Sequence, residues 1–303
     1  MPTPALPLPL PAHTAPLPPA RSGAGGVRVL AGVPYAALPG ARPLELDLYL
    51  PVDATPAPVV VFLHGGGWRL GSRHSAGPAY RGADPTPFEQ VAQAGIAVAS
   101  IDYRLSGEAV WPAQLHDAKA AVRWLRERAA ELGVDPGRIA SWGESAGGHL
   151  AELLGLTPDD AALEGEVGVT GPSSRVTAVA AWYAPSDVAA VATDNGADPA
   201  DPASREAQLL GAPPPEVPGR AAQASPLSHA SPAAPPVLLL HGRDDRFVSC
   251  AQSERLAAVL PDVELHTYPG ADHMWLGAPD AAADALDRTV AFLRRQLIEE
   301  DRT

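Results

Sequence analysis

The stretch "VVVFL", Val59 to Leu63, is apolar at every position and β-branched at its first three. A strand of that kind must be covered on both faces, which is the demand of a parallel strand buried between two layers. Comparable runs follow at Ile96 to Ile101, Arg138 to Trp142, Val176 to Tyr183 and Val237 to Leu240, with a more alternating one at Val263 to Tyr268. Helical patterns fall between them. The clearest begins at Pro112, carries Ala118, Val122, Leu125, Ala129 and Leu132 on one stripe and stops at Gly133. A second runs from Gln252 to Leu260, and the last sets Leu286, Val290, Leu293 and Leu297 on one face. Strands alternating with helices imply right-handed crossovers and a mostly parallel sheet with helices on both faces, an α/β fold. Ligands of such sheets bind at the carboxyl ends of the strands.

Two strands, "VRVLAGVPYA" and "LELDLYLP", precede this core and suit an antiparallel edge. The first twenty residues hold eight prolines and no basic residue, which fits neither a helix nor a secretory signal. Residues 1–26 are therefore expected to form an extended arm outside the fold, and residues 27–303 a single domain. Residues 185–236 break the alternation. They are a candidate cap over the strand ends, with one short helix near Ser204 to Leu210.

The formal charge of −13, with Lys119 the only lysine, excludes a nucleic acid or an anionic membrane as the natural partner. No apolar run approaches the ~20 residues of a membrane helix. One cysteine, Cys250, excludes an internal disulfide and a Cys-based zinc site. A cytoplasmic location is expected, and a homo-oligomer is left open.

The chemistry begins at "ASWGESAGGHLA". Gly143, Glu144, Ser145, Ala146 and Gly147 stand between an apolar run and a helix-forming one, the context of a nucleophile elbow. A sharp strand-to-helix turn lifts the hydroxyl above the sheet, and the flanking glycines avoid the collisions that bulk would cause. Upstream, "HGGGW" places Gly65 to Gly67 after a buried strand, leaving amides free to face a ligand. The amides of Gly66, Gly67 and Ala146 would hold the negative oxygen of a tetrahedral intermediate. His64, ahead of that loop, is read as structural.

An elbow serine needs an acid and a histidine later in the chain. "VLLLHGRDDRFVS" supplies Asp245, preferred over Asp244 by its spacing from His-Gly, with Asp187 as an outside candidate. "YPGADHMW" supplies His273, preferred over the strand residue His266. Asp272 beside it is expected to be solvated, and Cys250 to be a buried filler at a helix start.

These motifs, with "IDYRLSGEAVWPAQLHDAKAAVRWLR" and "SPLSHASPAAPPVLLLHGRDDRFV", resemble those of α/β-hydrolases of the esterase/lipase group, which includes hormone-sensitive-lipase-like and feruloyl-esterase-like bacterial enzymes. The likeness runs through nearly everything after Val27. It implies a Ser145, Asp245, His273 triad, hydrolysis of short-chain or aryl carboxylic esters through an acyl-enzyme, a small-molecule ester as partner and no metal or organic cofactor. In that group "DYR" at Asp102 to Arg104 and Asp117 are structural. Where relatives often carry proline after the valine of the acid turn, this chain has Ser249 and Cys250. An arylformamidase-like amidase and a non-catalytic receptor of the same fold are the alternatives; the first is weakened by Gly67, where amidases of that kind commonly have an aromatic residue, and the second by the filled triad positions. Trp68, Trp182, Tyr183 and Trp275 follow motifs near the strand ends and are candidates to line the pocket.

Overall fold

Alternation along β4, Ala57–Leu63, sends Val59, Val61 and Leu63 into one apolar layer and Val60 and Phe62 into the other. Every residue of the strand is buried, so it lies at the middle of the molecule. The computed structural model describes residues 11–158 and 160–299. The other strands are β1 Arg21–Ser22, β2 Arg28–Ala36, β3 Leu44–Leu50, β5 Ala97–Ile101, β6 Val134–Glu144, β7 Val179–Trp182, β8 Val237–Gly242 and β9 Val263–Tyr268. They form one nine-stranded sheet in the order β1-β2-β3-β5-β4-β6-β7-β8-β9. Pairing is antiparallel from β1 through β3 to β5 and parallel from β5 to β9.

The helices are α1 Pro87–Gln93, α2 Ala113–Glu127, α3 Ala129–Leu132, α4 Ala146–Leu156, α5 Ala161–Glu164, α6 Val191–Asp194, α7 Arg205–Leu210, α8 Pro218–Gln223, α9 Ala251–Ala257 and α10 Pro279–Arg294. Residues of α2 and α4 pack in the layer with Val59, and those of α1 and α10 in the layer with Val60. Strand order reverses at β4, whose neighbours β5 and β6 follow it in sequence on opposite sides. Such a reversal opens a crevice at the carboxyl edge. Loops after β4, β6, β8 and β9 all emerge there. Among the described residues no helix is long and apolar enough to cross a membrane.

The structure departs from the sequence expectation in two places. The helix expected to run unbroken from Pro112 to Gly133 divides at Arg128 into α2 and α3, and Gly133, at φ 71°, ends it. The arm expected to stand outside the fold is docked over residues 11–26, while residues 1–10 lie outside the described residues. Arg21 and Ser22 pair with Val29 and Arg28. The indole of Trp124 donates to the His13 carbonyl at 2.9 Å, and Arg128 donates to that of Ala15 at 2.9 Å. Proline-rich backbone is short of N–H donors but still offers carbonyls, and Trp124 of α2 and Arg128 at its end supply the donors.

Candidate active site

Ser145 follows the last residue of β6 and precedes the first of α4, with φ 51° and ψ −119°. A side chain is strained there, and the turn persists because its surroundings fix it. A Cβ on Gly147 would lie 2.0 Å from the Leu63 carbonyl oxygen, and one on Gly143 would lie 2.3 Å from that of Gly147. Both positions therefore require glycine. The Ser145 amide donates to the Trp182 carbonyl at 2.8 Å, tying the turn to β7.

His273 follows β9, and its Nε2 lies 2.9 Å from Ser145 Oγ. Its Nδ1 lies 2.6 Å from Asp245 Oδ2. The other carboxylate oxygen accepts the amides of Phe247 and Val248, each at 2.8 Å. Burial works to raise the Asp245 pKa, but hydrogen bonds from His241 and His273 and the Val248 amide outweigh it and hold the carboxyl below its ordinary value. An ionised Asp245 keeps the proton on Nδ1, which leaves Nε2 free to accept from Oγ. Asp244 is exposed, and Asp187 turns its carboxylate to its own loop at the Ala189 amide. His266 Nε2 lies 3.4 Å from Arg288, away from the serine. The Ser249 and Cys250 departure leaves the acid turn closed through the Phe247 and Val248 amides, with Cys250 standing just before α9 and making no side-chain cap.

The glycine loop lies beside the elbow because Leu63 pairs with Gly143. The Gly65 amide donates to Glu144 Oε1 at 3.1 Å. Those of Gly66 and Gly67 take no protein acceptor among the described residues. Ala146, as the first residue of α4, has an amide with no carbonyl a turn behind it. Gly66, at φ 111°, allows the loop to turn back, since a Cβ there would meet the Leu70 carbonyl at 2.3 Å. Among the described residues no group of three or more His, Cys, Asp or Glu side chains could hold a metal ion.

The BD-FAE family model matches residues 46–260, taking in the glycine loop, the elbow and Asp245. This chain belongs to the BD-FAE family. Esterase LipQ of Mycobacterium tuberculosis (strain ATCC 25618 / H37Rv) is 33% identical over 268 residues, covering 86% of this chain and 59% of that protein. Esterase LipI of the same organism is 31% identical over 275 residues, covering 84% and 78%. The chain spans roughly half the length of several curated relatives that it matches. Among solved structures, a truncated carbohydrate esterase from gut microbiota superposes with a TM-score of 0.75 at 29% identity, covering 88% of this chain and 95% of that one. A thermophilic esterase from Thermogutta terrifontis with propionate bound gives a TM-score of 0.67 at 29% identity, covering 89% and 94%. The fold is the α/β-hydrolase fold.

In this BD-FAE chain a buried layer supports the three site residues, and most of it escapes sequence reasoning. Glu144 accepts from Gly65 and, at 2.7 Å, from the Tyr183 hydroxyl. Burial pushes its pKa up, against those two bonds and the neighbouring His273. The Tyr183 ring stands edge-on to His273 at 4.7 Å. His241 bonds Ser253 through Nδ1 and the Val248 carbonyl through Nε2, which also lies 3.4 Å from Asp245. Asp272, expected to be solvated, is buried instead: it accepts the amides of His273 at 2.7 Å and Arg246 at 3.0 Å, joining the base loop to the acid loop. The only traces of them in the sequence were the residue before the elbow serine, the His-Gly pair before the acid, and an acid directly before the histidine.

The four aromatics expected to line the pocket are all buried. Trp182 donates to Thr289 at 2.9 Å and packs on Trp142 in the layer beneath the sheet. Trp275 packs against Trp182, Tyr183 and Tyr268. Trp68 donates to His149 Nδ1 at 3.2 Å, and His149 Nε2 bonds the Ala224 carbonyl at 2.6 Å. Burial lowers the His149 pKa to about 4, so the ring is neutral and bridges the glycine loop to residues 185–236. The aromatic that does reach the surface is Phe247, 47% exposed, with its ring 5.6 Å from that of His273. His64 bonds the Gly65 carbonyl and stacks on Tyr103. Asp102 binds Arg73, and Asp117 binds Arg104.

Proposed function

We propose that this chain is a serine carboxylesterase acting on short-chain or aryl esters. The observation that carries the reading is the 2.9 Å approach of His273 Nε2 to Ser145 Oγ, with Asp245 on the far side of the imidazole. The esterase names of its relatives point the same way. In this mechanism Ser145 attacks the ester carbonyl while His273 takes its proton. Gly66, Gly67 and Ala146 amides hold the oxyanion, a donor set in which each member is worth about 3 kcal/mol of transition-state stabilisation. His273 then returns the proton to the departing alcohol, and water, activated by the same imidazole, releases the acyl group.

Residues 185–236 act as the cap in this proposal, since they reach the glycine loop through His149 and the acid loop through Asn195, which donates to the Phe247 carbonyl at 3.1 Å. The partner is a small-molecule ester rather than a nucleic acid, in keeping with a charge of −13. A cytoplasmic setting belongs to the same proposal, and the free, buried thiol of Cys250 is compatible with it. The test is Ser145→Ala. Hydrolysis of 4-nitrophenyl acetate should fall by at least about 10³-fold with the circular dichroism spectrum unchanged; activity within tenfold of the parent would defeat the assignment.

A further inference from the structure

If His273 hands a proton to the departing alcohol, that oxygen must come within hydrogen-bond reach of Nε2. The alcohol portion then extends past whatever flanks the imidazole. Tyr183, edge-on to the imidazole, is buried and offers it no open path. The ring beside the imidazole that reaches solvent is Phe247, at 5.6 Å.

Beyond Phe247 stands Arg205, the first residue of α7. Its guanidinium lies 5.5 Å from the Phe247 ring centre, and its Nη2 reaches the Phe247 carbonyl at 3.4 Å. Its stem lies on the glycine loop, since a Cβ on Gly67 would come within 2.7 Å of Arg205 Cδ. One side chain thus touches both the loop that would hold the oxyanion and the loop that carries the acid. Phe247, Arg205, Arg69 and Arg246 share a cleft of about 320 Å³.

The charges in that cleft are unequal in availability. Arg246 is engaged by Asp272. Asp198 and Asp201 each turn one carboxylate oxygen to their own loop, at the amides of Ala200 and Ala203. Glu206 is buried. Arg69 and Arg205, among the described residues, meet no carboxylate. Two guanidiniums that form no ion pair among the described residues, beside the glycine loop and the acid loop, remain available to an anionic group although Asp198, Asp201 and Glu206 line the same cleft.

Resting on the esterase reading above, we propose that Arg205, assisted by Arg69, is a specificity-determining residue that binds an acidic group on the alcohol portion of the ester, with Phe247 as the surface between that group and the scissile bond. The substrate class is an acyl ester of a hydroxy acid whose carboxylate remains free.

The experiment compares 3-acetoxybenzoate with 3-acetoxybenzamide, which differ in charge but present similar phenol leaving groups, in the parent enzyme, Arg205→Met and Arg69→Gln. Methionine keeps the aliphatic contact on Gly67 and removes the guanidinium. A charged hydrogen bond of this kind is worth roughly tenfold or more in binding. The ratio of kcat/KM for the benzoate to that for the benzamide should fall at least about tenfold in Arg205→Met, chiefly through KM. It should fall by a smaller factor in Arg69→Gln, and in the parent on raising the salt concentration. Equal losses on both esters, or an unchanged ratio, would overturn the inference while leaving the esterase reading intact. Failure of the parent to hydrolyse either ester would instead count against that reading.

Discussion

Asp245 carries a single charge and is met by two amides and two imidazoles, of which His273 is the closer. Their combined effect keeps it ionised well below neutral pH despite its burial. Asp245 therefore adds no step of its own to the pH dependence of kcat/KM near neutrality. Asn at this position would keep the shape but present an N–H to Nδ1, favouring the tautomer that cannot take the serine proton. Asp245→Asn should lower kcat on a short aryl acetate by about 10⁴-fold with the fold retained, and a loss below tenfold in a steady-state assay would argue for another orienting acid. This residue was readable from its spacing after His-Gly, as Ser145 was from its glycines and His273 from its place after the last strand. Glu144, His241 and Asp272 were not, because their partners lie on other loops. Nothing local in "GADH" says that Arg246, 26 residues earlier, will come back to meet Asp272.

Among the elements, α4 has the most unusual interior. All of its residues from Ala146 to Leu156 are buried, including Glu152, whose two carboxylate oxygens find no partner among the described residues. Burial alone raises the Glu152 pKa well above its ordinary 4.5. The folded chain therefore keeps a proton there that the unfolded chain releases above pH 4.5. Stability from this group declines as pH rises through that interval, by up to about 1.4 kcal/mol per pH unit until the folded-state value is reached. Glu152→Gln has no proton to lose, so its advantage over the parent in urea unfolding should widen from pH 5 to pH 8. A constant difference across that range would mean the carboxyl is neutralised by other means. The elements themselves were legible from periodicity, because a strand buried on both faces and a helix buried on one leave different spacings. Their ends were not. β6 starts early, at Val134, and runs through Pro136 and Gly137, and α2 stops at Glu127 within an unbroken apolar stripe.

At the scale of the whole molecule, the docked proline-rich segment extends the antiparallel end of the sheet and covers Trp124 and Arg128. Composition identified that segment as unable to fold alone and was silent on whether a neighbour would hold it. Deleting residues 1–22 removes the β1 pairing and leaves those donors to water, at a cost of about 1–3 kcal/mol. Thermal unfolding should then shift down by several degrees; an unaltered midpoint would show that the docked segment contributes nothing to stability. The layout also bears on how the site could be altered. Because the neutral imidazole of His149 spans from Trp68 to the backbone at Ala224, the residues around position 224 are linked to the glycine loop proposed to hold the oxyanion without touching it. That gives an engineer a remote dial: substitutions at the α8 end should reach the indole of Trp68 without replacing Ser145, His273 or Asp245.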